Sequence, residues 1–125
     1  MAPTAKPAKQ KAWRLGHVAE LFATWRLRLK GYRIITRRFR SRVGEIDIIA
    51  RRGDVLVFIE VKARRDAATA AHAISARQKR RITRTAQVFV QAHPSLALMD
   101  QRFDAILVSP RRWPVHLVDA WRPGL

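Results

Sequence analysis

Two strand-forming segments meeting at Gly53-Asp54 constrain this chain more than any other feature. Val43 to Arg51 and Val55 to Val61 are rich in Val, Ile, Leu and Phe, and the Gly-Asp pair between them is a hairpin signal. The second segment is apolar on both faces, the pattern of a central strand rather than an edge. Yet both arms carry acids. Glu45 and Asp47 share one face of the first, and Glu60 and Lys62 share one face of the second. With Gly53 and Asp54 as the loop, Arg52 pairs with Val55, and counting back sets Asp47 opposite Glu60. Opposed residues have Cβ atoms about 4.5–5.5 Å apart. Like charges that close, on a face shared with Leu56 and Phe58, need a cation between them. Mg²⁺ is commonly held by one or two carboxylates together with substrate phosphate. Lys62, beside the pair, is placed to position water and stabilise developing charge. Alternating polar residues are also what a half-exposed strand contains, so spacing alone leaves a solvent-facing ladder open.

The acids are scarce against their background. The chain carries 26 Lys+Arg and 9 Asp+Glu in 125 residues, a formal net charge of +17. Such an excess favours nucleic acid as the partner, and an anionic membrane surface less well. No apolar run approaches the roughly 18–20 residues that span a bilayer, so no membrane segment is expected. Met1 to Lys11 lacks the apolar core of an export signal, and the chain has no cysteine, hence no disulfide and no thiolate zinc site. A cytoplasmic setting is the expectation.

Residues 1–11, mostly Ala, Pro and Lys, read as a disordered basic tail, with residues 12–125 as one domain. Lys11 to Lys30 reads as a helix in which Leu15, Val18, Phe22, Trp25 and Leu29 recur at three- and four-residue steps, stopped at Gly31. Tyr32 to Phe39 is the first strand, ahead of the hairpin. Arg64 to about Ser75 reads as a loop, and Ala76 to His93 as a second helix ended by Pro94. Its buried stripe is Ile82, Ala86, Phe89, Val90 and His93. Opposite lie Arg77, Arg80, Arg81 and Arg84 with no acid among them, a face better suited to phosphate than to solvent alone. Arg102 to Ser109 and Val115 to Ala120 are two last strands. The order αβββαββ predicts an α/β domain with a mixed central sheet flanked by helices. The four histidines lack ligand spacing, so zinc is not expected. Trp13, Trp25, Trp113 and Trp121 read as packing residues, with Trp113 the one candidate for an exposed stacking surface.

Gly44-Glu45-Ile46-Asp47 followed by Phe58-Ile59-Glu60-Val61-Lys62 resembles the restriction-endonuclease-like PD-(D/E)XK nuclease superfamily. From about Gly16 to Trp121 the chain is similar to the YraN family of small bacterial proteins. That likeness is carried also by Ala19-Glu20, Gly31-Tyr32, Lys79-Arg80-Arg81-Ile82 and Arg102-Phe103-Asp104. The spacing between Asp47 and Glu60 is similar to that of Holliday-junction resolvases. The resemblance implies a restriction-endonuclease-like three-layer fold and Mg²⁺- or Mn²⁺-dependent nuclease activity. In it Asp47 and Glu60 are metal ligands, Lys62 is the catalytic lysine, and Glu20 approaches the metal from the first helix. On pattern alone Glu20 is a solvated glutamate. Two departures stand: Arg38 where the family more often has Asn, and Ile46 in place of the superfamily's leading proline. Likeness to resolvases further implies branched DNA as substrate and a homodimer. A basic nucleic-acid-binding module without catalysis is the rival expectation.

Overall fold

The structure, a computed structural model, describes residues 5–64 and 74–123 of the chain, with side chains from Gly16 onward. Helix α1 spans Ala5–Leu29. It therefore begins inside the segment expected to be a tail, where Ala and Lys are strong helix formers and Pro7 falls in the first turn. Its C-terminus closes as a Schellman motif. Gly31, at φ +87°, donates its N–H to Arg28, and Tyr32 donates to Leu27.

The face that α1 buries is not the one its large residues mark. Ala19, Glu20, Ala23, Thr24 and Leu27 lie against the sheet, whereas Val18, Phe22, Trp25 and Leu29 are exposed. Small residues let the helix backbone approach the strands closely, and the large apolar stripe is left facing outward. Leu15 and Trp13 lie outside the residues whose side chains are described.

Five strands form one mixed sheet in the order β1-β2-β3-β4-β5, with β1 at Arg33–Arg40, β2 at Glu45–Arg52, β3 at Val55–Ala63, β4 at Asp100–Val108 and β5 at Val115–Trp121. The first three are an antiparallel meander; β3 and β4 are parallel, joined through helix α2 at Ala76–Ala92 and a 3₁₀ turn at Pro94–Leu96. Strand β5 returns antiparallel to β4. Of the loop expected from Arg64 to about Ser75, residues 65–73 lie outside the described residues. Arg52 pairs with Val55 across Gly53-Asp54, and Gly53 at φ +59° takes the left-handed first loop position that a type II′ hairpin turn demands.

Each sheet face has its own core. Ile48, Ala50, Val57, Ile59 and Ile106 meet Ala23, Leu27 and Tyr32 on the α1 side. Ile49, Leu56, Phe58 and Phe103 meet Ile82, Ala86 and Phe89 on the α2 side. Burying each such large side chain contributes about 1.5–3 kcal/mol. The result is a three-layer α/β/α arrangement. Helix α2 starts with a capping box, in which Ser75 Oγ accepts the Gln78 N–H and Gln78 Oε1 accepts the Ser75 N–H. His93, expected in its buried stripe, is exposed: it lies past the last turn, stacked on Phe89 with Nδ1 at 2.8 Å from the Phe89 carbonyl.

Away from the hairpin, Asp104 enters the α1 side as a fully buried charge. It is met by Arg102 at 2.8 Å, by His116 Nε2 at 2.7 Å and by the Asp119 N–H at 2.9 Å. Lys30 Nζ lies 2.7 Å from His116 Nδ1, so the ring accepts from the lysine and donates to Asp104. Burial pushes the Asp104 carboxyl up, but His116, Arg102 and the Asp119 amide outweigh it and hold it below its ordinary range. The network ties the end of α1 to β4 and β5.

Candidate active site

Strand β2 changes hand where it carries its acid. Ile46 and Ile49 both join the α2-side core although they are three positions apart, while Ile48 and Ala50 lie on the α1 side. One step of alternation is therefore lost at Asp47. Facing that step on β1 is Arg38, whose backbone is left-handed at φ +56°, a costly conformation for a non-glycine residue. The paired residues of β2 and β3 run from Arg52↔Val55 to Ile48↔Ile59, one rung short of 47 and 60. At that rung Asp47 Oδ2 accepts the Val61 N–H at 2.8 Å. The carboxylate thus lies in the plane of the sheet rather than on one face.

That position brings Asp47 within electrostatic reach of both Glu20 and Glu60. Glu60 lines a depression with Gln78 and Arg81 of α2, and Asp47 lines one with Glu20 of α1. The Asp47 and Glu60 carboxyls stand close enough to influence each other's ionisation. Burial, and then the Asp47 charge, push the Glu60 carboxyl up to about 8. Asp47 is also raised, by burial, against the lowering pull of the Val61 amide and Glu60. Lys62 Nζ lies 3.3 Å from Glu60 Oε1, with both side chains largely buried. Glu20 is raised by burial and by Asp47, and its Oε2 accepts from Arg38 Nε at 3.0 Å. Arg38 also reaches His17 Nε2 at 3.0 Å.

The donor set is oxygen only, which suits Mg²⁺ or Mn²⁺ and not zinc. A divalent cation between Asp47 and Glu60 would remove the repulsion between the two carboxylates. Among the described residues no group of three or more His, Cys, Asp or Glu side chains converges on one metal position. Asp47 and Glu60 are the side chains that could hold such an ion, with water and phosphate as its remaining ligands. Glu20 faces the same depression but is engaged by Arg38.

The arginine stripe divides in space. Arg81 lines the Glu60 depression, while Arg77, Arg80 and Arg84 are exposed along the helix. Glu45 is at the rim, 3.6 Å from Arg40. Two features escaped the sequence. Arg38 holds Glu20 through a backbone conformation no local pattern announces. Gly44 faces α2 so closely that a Cβ there would meet Arg81 Cγ at 2.7 Å and Thr85 Oγ1 at 2.9 Å. The glycine before the Glu45-Ile46-Asp47 run was the available signal for that approach.

The profile of a family described as "Uncharacterised protein family UPF0102" matches residues 19–108. A UPF0102 protein of Parvibaculum lavamentivorans is 51% identical over 112 residues, covering 90% of this chain and 84% of the relative. One from Mesorhizobium japonicum is 47% identical over 121 residues, covering 97% of each. One from a Bradyrhizobium strain is 48% identical over 120 residues, covering 96% of this chain and 85% of its own.

Proposed function

The chain belongs to the UPF0102 family, and from the site this member carries we propose a metal-dependent nuclease that hydrolyses phosphodiester bonds of nucleic acid. DNA, branched DNA in particular, is the substrate in this reading, and the cytoplasm is its setting. The observation that carries it is Asp47 and Glu60 side by side at the end of the β2–β3 ladder, with Lys62 3.3 Å from Glu60, in a chain of net charge +17. A structural ladder would place such acids in solvent or against arginines, as Glu45 is placed.

Asp47 and Glu60 would hold the ion, which supplies a water of lowered pKa and polarises the phosphate. Asp47 is anchored by the Val61 amide, so its carboxylate is preorganised. Lys62, held by Glu60, offers an ammonium to a water and to charge that develops on the phosphoryl oxygens. Arg81 faces the same depression and can orient a phosphate, and Arg77, Arg80 and Arg84 add the salt-dependent grip on the backbone. Glu20, released from Arg38, would add a further ligand from α1.

A second reading is a basic binding module that keeps the fold without cutting. The Arg38–Glu20 ion pair favours it, because it occupies the acid that would complete the site. Cleavage assays on linear, nicked and four-way DNA with Mg²⁺ or Mn²⁺ separate the two. If Asp47→Asn and Lys62→Ala cut as well as the parent protein, the nuclease reading fails at this site.

A further inference from the structure

A second surface adjoins the acidic site. An open groove of about 730 Å³ lies between α1 and the β4–β5 connection, lined by Val18, Phe22, Trp25, Arg64, Arg111 and Trp113 among others. Trp25 and Trp113 are 54% and 66% exposed, and their rings are parallel within 3° with centroids 6.3 Å apart. Trp113 sits between Arg112 and Pro114, and Pro110 and a left-handed Arg111 (φ +60°) shape the same short loop. The loop is thus conformationally restricted and holds its indole in place. Ala19 and Ala63 line both this groove and the Asp47 depression, so the two share a wall.

We propose that the Trp25–Trp113 groove binds unpaired nucleobases by stacking, so that the strand reaching Asp47 and Glu60 is single-stranded or locally unpaired. The second half rests on the nuclease reading; the first does not. Aromatic faces flanked by cations are what sequence-tolerant single-strand binding uses, because every base has a π-face and every phosphate a charge. Here Arg64, Arg111 and Arg112 ring the aromatic floor, and no acid lies among the described lining residues. The same ring argues against a second copy as occupant: a two-fold contact through this groove would set arginines against arginines.

The test is fluorescence anisotropy with a labelled oligothymidine and with a duplex, in EDTA, so that no cleavage enters. Trp113→Ala and Trp25→Ala should each weaken single-strand binding about tenfold, the scale of one lost base stack, while duplex affinity changes little. Trp113→Phe should keep most of the affinity, and Trp113→Leu, apolar without a π-face, should not. Full single-strand affinity in Trp113→Leu overturns the proposal, as does equal weakening toward both DNAs. A dimer that dissociates in Trp113→Ala, measured by sedimentation with single-strand affinity unchanged, overturns it too. Failure of the protein to cut any DNA would sink the nuclease reading and leave this binding result standing.

Discussion

Asp47 Oδ2 accepts the Val61 N–H at 2.8 Å, taking the place of a backbone rung at the open end of the β2–β3 ladder. An acid fixed this way is held by the strand beside it and stands next to Glu60 whether or not a cation is present. Asparagine can keep the acceptor and lose the charge. Asp47→Asn should therefore fold at least as stably as the parent, read by thermal melting. In the proposed nuclease it should lower cleavage at least about 100-fold, the scale for one electrostatic group at a catalytic centre. A variant that melts much earlier would mean that the charge itself supports the fold.

Stability should fall as pH rises through the titration of Glu60. Its folded value of about 8 lies above the ordinary 4.5, so between these limits the folded protein keeps a proton that the unfolded chain has lost. Below about 4.5 both states are protonated and the penalty is absent; above about 8 it is complete. Urea unfolding across this window, without metal, should show the decline, and Glu60→Gln should flatten it. Mg²⁺ or Mn²⁺ should raise the melting temperature more at pH 8 than at pH 6, because it competes with that proton. Removing the ion with EDTA should reverse the gain.

Gly44→Ala should destabilise by about 1–3 kcal/mol, since the added carbon meets Arg81 and Thr85. A double-mutant cycle with Arg81→Ala should recover part of the loss, because the two changes share one contact. Strict additivity in urea unfolding would place the strain elsewhere.

Asp104→Asn removes the charge that satisfies Arg102 and His116 at once. Breaking a buried pair from one side costs about 3–5 kcal/mol, and the chain should lose that much in denaturant titrations. Asp104 titrates below its ordinary value in the folded state, so its stabilisation holds above the ordinary range and disappears as pH falls through the folded value.

Arg80→Ala combined with Arg84→Ala should weaken DNA binding without changing sequence preference. The slope of log affinity against log salt should shrink by about 1 per arginine that touches phosphate. An unchanged slope would remove both from the interface.

The hairpin arithmetic was legible because a two-residue loop leaves one register, and the observed ladder follows it from Arg52↔Val55 to Ile48↔Ile59. The element order was legible for a related reason: Gly31, Gly53 and Pro94 each end a segment by a local mechanism. What hid was whatever depends on contacts between elements. The stripe from Val18 to Leu29 marked a face of α1 but not which face meets the sheet; close approach selected Ala19 and Ala23 instead. That choice carried Glu20 inward, where pattern alone left it in solvent. The reversal of alternation at Asp47 depends on Arg38 across the ladder, a residue whose own neighbours in sequence give no sign of left-handed backbone.

With Ala19 and Ala23 pressed on the strands and Phe22 and Trp25 turned outward, α1 inverts the usual relation between side-chain size and tolerance. Enlarging either alanine would lift the helix, and Glu20 with it, from the strands that bear the other acids. Trimming an outward aromatic leaves the seam closed. The smallest side chains of this helix set the spacing of the site, while its largest are released from the fold and open to selection by whatever they touch.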